Sequence, residues 1–134
     1  MATAAGYSGT PLPKKLGFKP GWSVLVHGAP PDYADLLAGA DDVAFLHDTE
    51  AEGVEAVHLF LRAPEDLDHV PGLLARLVPG GMLWLSWAKK SSKLHAGITE
   101  DDLRAAVLPL GWVDVKVCAV DADWSGLKFL KRRA

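Results

Sequence analysis

Three short runs constrain this chain more than anything else in it: "SVLVH" at 23–27, "EAVHLFL" at 55–61 and "MLWLSW" at 82–87. Each is too apolar to leave one side in water, so each belongs in the interior of a sheet. Helical patterns lie around them. Pro31 and Asp32 suit the first turn of a helix that runs to about residue 38 and ends at Gly39. Pro64-Glu65-Asp66 opens another, with Leu67, Val70, Leu73, Leu74 and Leu77 on its apolar face, and Pro71-Gly72 inside it should kink or split it. "VPGG" at 78–81 ends that helix ahead of the third run. Thr99 and Asp102 form a capping-box pattern ahead of Leu103, Ala106, Val107 and Leu110. Near the C-terminus "GWVDVKVCAV" and "WSGLKFLKR" are joined only by "DAD", a link short enough to require an antiparallel hairpin.

This order predicts an α/β fold. It is a mostly parallel, Rossmann-like sheet with helices on both faces and a C-terminal antiparallel strand pair. One link is awkward. A short strand is expected at 43–47, yet the next begins near residue 55, with no room for a crossover helix. Either the crossover is extended or 43–47 is not a parallel strand.

With 134 residues the chain suits one domain, read as an N-terminal arm at 1–13 and a single α/β domain at 14–134. A net charge of −3 argues against general attraction to nucleic acid or acidic lipid. Local basic clusters exist all the same: Lys14-Lys15 with Lys19, Lys89-Lys90 with Lys93, and Lys128 with Lys131-Arg132-Arg133. The single cysteine, Cys118, has no internal partner, which makes a reducing cytoplasm the expected setting. No apolar run reaches the ~20 residues that span a bilayer, and the first residues lack the apolar core of a secretion signal.

"LLARLVPGGMLWLSW" resembles the helix, Pro-Gly-Gly turn and strand found late in S-adenosylmethionine-dependent methyltransferases. In that fold a last helix and an antiparallel pair follow, as they are expected to at 99–132. A closer resemblance is to an uncharacterised family of short bacterial proteins, a domain of unknown function. It is carried by "GYSGTPLPKKLGFKPG", "LVHGAPPDYADLL", "LWLSWAKKSS" and "LPLGWVDVKVCAVDADWSGLKF". That resemblance implies a shortened methyltransferase-like domain and no assigned activity. Ala88 stands where the family often has a proline before the paired lysines, which loosens the loop here.

The loop after the first strand, "HGAPPDY", decides whether a cofactor is expected. Gly28 is its only glycine, and Pro30 and Pro31 carry no amide hydrogen to offer. Asp32 opposes a phosphate but suits an ammonium, and Asp48 stands where the methyltransferase fold places a ribose-binding carboxylate. Gly28, Asp32 and Asp48 are thus the candidate cofactor residues. The competing reading is a rigid turn that docks a helix on the sheet.

The second candidate is the loop Lys89-Lys90-Ser91-Ser92-Lys93, leaving the carboxyl end of a central strand toward the helix start at Thr99. Lys89, Lys90, Ser91, Lys93 and Thr99 are its expected anion-binding residues, and a solvated loop is the alternative. His27 and His47 fall near strand ends without a metal spacing, so no metal is expected. His58, inside an apolar strand, reads as a hydrogen-bonded core histidine, and Cys118 as a structural thiol. Three functions follow. The first is a degenerate methyltransferase-like domain, without cofactor, that binds an anionic ligand or a protein partner. The second is S-adenosylmethionine-dependent methyl transfer to an acceptor near residues 87–93. The third is single-stranded nucleic-acid binding through the basic loop and exposed tryptophans, which the acidic net charge disfavours.

Overall fold

The computed structural model describes residues 11–133. The expected N-terminal arm, 1–13, therefore lies outside the described residues except for its last three. Helix α1 (Leu12–Leu16) comes first and ends at Gly17 in the left-handed conformation. Then follow β1 (Ser23–His27), α2 (Tyr33–Leu36), β2 (Ala44–His47) and β3 (Val54–Leu61). A 3-10 turn at Pro64–His69 runs into α3 (Val70–Leu74). Strand β4 (Leu77–Ala88), α4 (Glu100–Val107), a short 3-10 turn, β5 (Trp112–Ala119) and β6 (Trp124–Lys131) complete the chain.

The six strands form one sheet in the order β2-β1-β3-β4-β6-β5. The first four are parallel, while β6 runs antiparallel to both β4 and β5. Helices cover both faces, as expected. Leu25, Val57, Leu59, Leu83, Leu85 and Phe129 face α3 and α4. Val24, Val26, Phe60, Trp84 and Trp124 face α1 and α2. The central strands alternate between two buried faces, which is why their sequences read as continuous apolar runs.

The awkward link is an extended crossover. β2 is parallel to β1 and β3 lies on the other side of β1, so residues 48–53 return from one end of the sheet to the other. That path crosses two strand spacings as well as the length of β2, and six extended residues reach about 20 Å. A helix of the same length would advance only about 9 Å. Arg76 holds the segment down: its carbonyl accepts from the Gly53 and Val54 amides, and its guanidinium donates to the Glu50 and Ala51 carbonyls.

Three elements differ from expectation. α2 stops at Leu36, a single turn, after which the backbone continues as loose turns to Ala40. The helix expected after Pro64 is split at Val70, where Pro71 lacks the amide that would continue the 3-10 ladder. β4 begins at Leu77 instead of Met82, because "VPGG" forms a wide bulge within the strand: Val54 pairs with Leu77 and Ala56 with Met82. Gly81 is needed there, since a Cβ would come 3.0 Å from the Glu55 carbonyl oxygen.

One polar chain crosses the core. The His58 ring bonds the Tyr33 hydroxyl (2.9 Å) through Nδ1 and the Ser86 hydroxyl (2.7 Å) through Nε2. His58 and Ser86 are fully buried and Tyr33 nearly so. Burial pushes the imidazole down to about 3 and raises the phenol. The relay ties the single turn of α2 to β3 and β4.

Candidate functional site

In an open α/β sheet a ligand sits at the carboxyl ends of the strands, where the strand order reverses. Here that crevice lies between β1 and β3, beside Gly28 and Arg62. Gly28 has φ 72°, and a Cβ there would lie 2.9 Å from the Phe60 carbonyl oxygen, so only glycine fits. Both of its backbone groups are bonded within the protein. The Gly28 amide donates to Asp48 Oδ1 (3.2 Å). The Gly28 carbonyl accepts from Arg62 Nε (2.9 Å) and Nη2 (2.7 Å). Arg62 also lies over the Trp124 ring at 5.3 Å, so its side chain straps the carboxyl ends of β1 and β3 to the start of β6.

The remaining expected cofactor residues take other roles. Asp48, at φ 52°, receives the Gly28 amide and approaches His27 Nδ1 at 3.7 Å. Asp32 is exposed at the N-cap of α2 without a capping hydrogen bond. Pro30 is buried and, like Pro31, offers no amide. S-adenosylmethionine needs free backbone groups on this loop for its amino-acid part. The residues present do not fit that need.

The lysine loop is divided. Lys89 Nζ donates to the Asp121 carbonyl (2.9 Å) and its amide to the Asp123 carbonyl (2.8 Å), pinning the β5–β6 turn. Ser92 Oγ donates to Asp123 Oδ1 (2.9 Å). Ser91 and Lys93 are exposed on the turn. Lys90 instead lines a cleft of about 510 Å³ with Trp87, His95, Thr99, Glu100 and Arg104. Of the three lysines, only Lys90 lines this cleft with Thr99.

The cleft carries both charges. Thr99 and Asp102 form the expected capping box: Thr99 Oγ1 accepts from the Asp102 amide (3.3 Å) and Asp102 Oδ2 from the Thr99 amide (2.8 Å). Arg104 reaches Asp114 (3.0 Å), Glu100 and Asp101, and the Asp114 and Glu100 hydrogen bonds raise its already high pKa. It is thereby neutralised. His95 Nδ1 donates to the Ala88 carbonyl (3.3 Å), leaving Nε2 as the acceptor in the neutral ring. Lys90 is the cation without an ion pair among the described residues lining this cleft, and Trp87 is 8 % exposed.

The other candidates resolve as follows. No three His, Cys, Asp or Glu side chains among the described residues are placed to share a metal ion. His58 is the hydrogen-bonded core residue expected of it. Cys118 is half-buried, and burial raises its thiol pKa. Trp84, Trp87, Trp112 and Trp124 are all buried, so they offer no exposed platform for bases. Gly126 makes room for Trp84, whose ring would stand 3.1 Å from a Cβ at that position. No helix among the described residues is long and apolar enough to cross a membrane.

Sequence reasoning missed Arg62, the residue that closes the crevice. Its only local signal is a charge directly after an apolar strand, and nothing in that signal shows that the side chain turns back toward Gly28.

No family model matches the sequence, and no curated protein does. The resemblance to the short bacterial family therefore rests on the quoted motifs alone. Solved structures do match. An S-adenosylmethionine-dependent methyltransferase from Aquifex aeolicus superposes with a TM-score of 0.57 at 15 % identity, covering 88 % of this chain and 86 % of that one. The ribosomal protein L11 methylase of Lactobacillus delbrueckii subsp. bulgaricus gives 0.56 at 14 %, over 91 % and 76 %. Magnesium protoporphyrin IX methyltransferase of Synechocystis PCC 6803, with bound S-adenosylmethionine, gives 0.55 at 14 %, over 90 % and 74 %. At these identities the likeness is one of fold, and the fold is methyltransferase-like.

Proposed function

We propose that this chain is a degenerate methyltransferase-like domain that acts by binding. Its ligand is an anionic group, on a small molecule or a protein partner, held at the carboxyl edge by Lys90 and the start of α4. The observation that carries this reading is the closed Gly28 loop. Its amide is bonded to Asp48 and its carbonyl to Arg62, while the next two prolines have no amide. The segment 48–53, crossing directly from β2 to β3, supports it by leaving little structure to wall an adenine. Titrating S-adenosylmethionine and its demethylated product by calorimetry tests the reading. No heat up to millimolar ligand is expected, and micromolar binding of either overturns it.

The second reading is methyl transfer. It is favoured by the strand order and by neighbours described as methyltransferases, one of them with bound S-adenosylmethionine. Asp48 at the end of β2 supplies the carboxylate that this reading needs. Arg62 and Asp48 are both exposed, so a cofactor would have to displace two surface contacts. The same titration separates the two readings.

A further inference from the structure

The C-terminal hairpin breaks a rule of sheet construction. Lys116 on β5 and Lys128 on β6 are directly paired across the ladder. Residues so paired have Cβ atoms about 5 Å apart, and like charges there repel. Lys128 is half-buried against α1, where its Nζ lies 3.9 Å from the Cβ position of Gly17. Lys19, just past α1, adds a third positive charge: burial, then Lys116, then Lys19 lower the Lys128 ammonium. None of the three makes an ion pair with a carboxylate among the described residues. Lys116 Nζ donates instead to the Lys15 carbonyl (2.9 Å) in the last turn of α1. The partial charge of a short helix end is at most about half an elementary charge, too little to neutralise three cations.

Folding alone favours a carboxylate or a neutral residue at one of these positions. A locally unfavourable arrangement without internal compensation marks a functional surface. We propose that Lys19, Lys116 and Lys128 bind a compact phosphate-bearing anion, a diphosphate or a phosphomonoester, on the α1 face of the hairpin. Three ammonium groups match the two or three negative charges of such a group, whereas one carboxylate leaves most of the repulsion in place. The cations gather on one rung and one nearby loop. A nucleic-acid strand would call for cations spread along a groove. This surface is separate from the Lys90 cleft at the carboxyl edge.

Calorimetric titration of the full chain with pyrophosphate, at low and at moderate salt, tests the proposal. Binding is expected, weakening as salt rises. Lys116→Gln and Lys128→Gln should each weaken it at least tenfold, while Lys131→Gln, which removes an exposed cation elsewhere on β6, should change it less than twofold. Lys128→Gln should also melt at the same temperature as the parent or higher, because it relieves repulsion. Vesicles with and without phosphatidic acid locate the source of the phosphate. Sedimentation with phosphatidic acid vesicles, reversed by pyrophosphate, assigns a lipid headgroup. Pyrophosphate binding without sedimentation assigns a free phosphate compound. Either result supports the site. Absence of pyrophosphate binding, equal weakening by all three variants, or a Lys128→Gln protein that melts several degrees lower overturns it. So does binding of a single-stranded oligonucleotide by a chain that ignores pyrophosphate.

Discussion

Two groups of polar side chains share the face of the sheet covered by α1 and α2, and the protein treats them in opposite ways. Tyr33, His58 and Ser86 are sealed in the core, and both ring nitrogens of His58 have a partner. Lys116 and Lys128, on the hairpin next to β4, and Lys19, just past α1, have their charges unneutralised. A buried polar group must be satisfied or it costs the fold. A surface charge need not be, because water screens it. The first group therefore reports how the chain folds, and the second is free to report what the chain meets. Removing a member of the first should destabilise the protein, and removing a member of the second should not.

The largest effect is expected from His58→Ala. It opens a cavity and leaves two buried hydroxyls without a partner, a loss of about 3 kcal/mol or more. Urea unfolding measures it. A loss below about 1 kcal/mol would mean that the hydroxyls find other partners and that the relay does not anchor α2.

Acid should reveal the same relay. The folded pKa of His58 is lowered to about 3, whereas the unfolded chain protonates near 6.5. Well above pH 6.5 both states are neutral and the titration of His58 makes no contribution to the pH dependence of stability. As pH falls from about 6.5 toward 3, the unfolded state takes up the proton and the folded state does not. Stability contributed by neutral burial is therefore lost at about 1.4 kcal/mol per pH unit. His58→Gln, which keeps hydrogen-bonding capacity without titrating, should flatten that slope. An unchanged slope in His58→Gln would assign the acid sensitivity to other groups.

Gly28→Ala comes next. At φ 72° an alanine is strained, and its Cβ would press on the Phe60 carbonyl. Strain of this kind costs about 1–3 kcal/mol. Thermal unfolding measures it, and a change of less than half a kcal/mol would show that the loop relaxes freely. That freedom would weaken the picture of a crevice held shut by Arg62.

The legible parts of this structure are the local ones. β1 has the expected bounds, the Thr99–Asp102 box forms as its spacing requires, and the three-residue turn predicts the antiparallel hairpin. Each depends on neighbours within a few residues. What was not legible depends on register. His58 meets Tyr33 and Ser86 across separations of 25 and 28 residues. Arg62 meets Gly28 across 34. The start of β4 was missed because "VPGG" reads as a stop, whereas the bulge carries it into the strand. The lysine loop was recognised as cationic, but which lysine anchors the β5–β6 turn and which faces the cleft depends on where Asp121 lies. Lys116 looks unremarkable in sequence, alternating with apolar residues as an exposed strand lysine does, and Lys128 reads only as part of the basic cluster with Lys131-Arg132-Arg133. Only the pairing of β5 with β6, shifted by the irregularity between Asp114 and Lys116, sets them opposite each other.

The smallest effect has the opposite sign. Lys116→Glu converts the like-charge pair into an opposite-charge pair on the same rung. Cross-strand pairs of this kind contribute about 0.2–1 kcal/mol, and the half-exposed setting with salt screening keeps the gain near the lower end. The substitution also removes the bond from Lys116 Nζ to the Lys15 carbonyl, which reduces the gain further. A small rise in melting temperature at low salt, shrinking as salt is added, is the expected outcome. A fall at every salt concentration would show that Lys116 holds the end of α1 and is no spare charge. The contrast between a polar core kept for folding and a cationic face kept for binding would then be lost. A rise shows that the wild-type lysine is retained against the preference of the fold, as the proposed anion site requires.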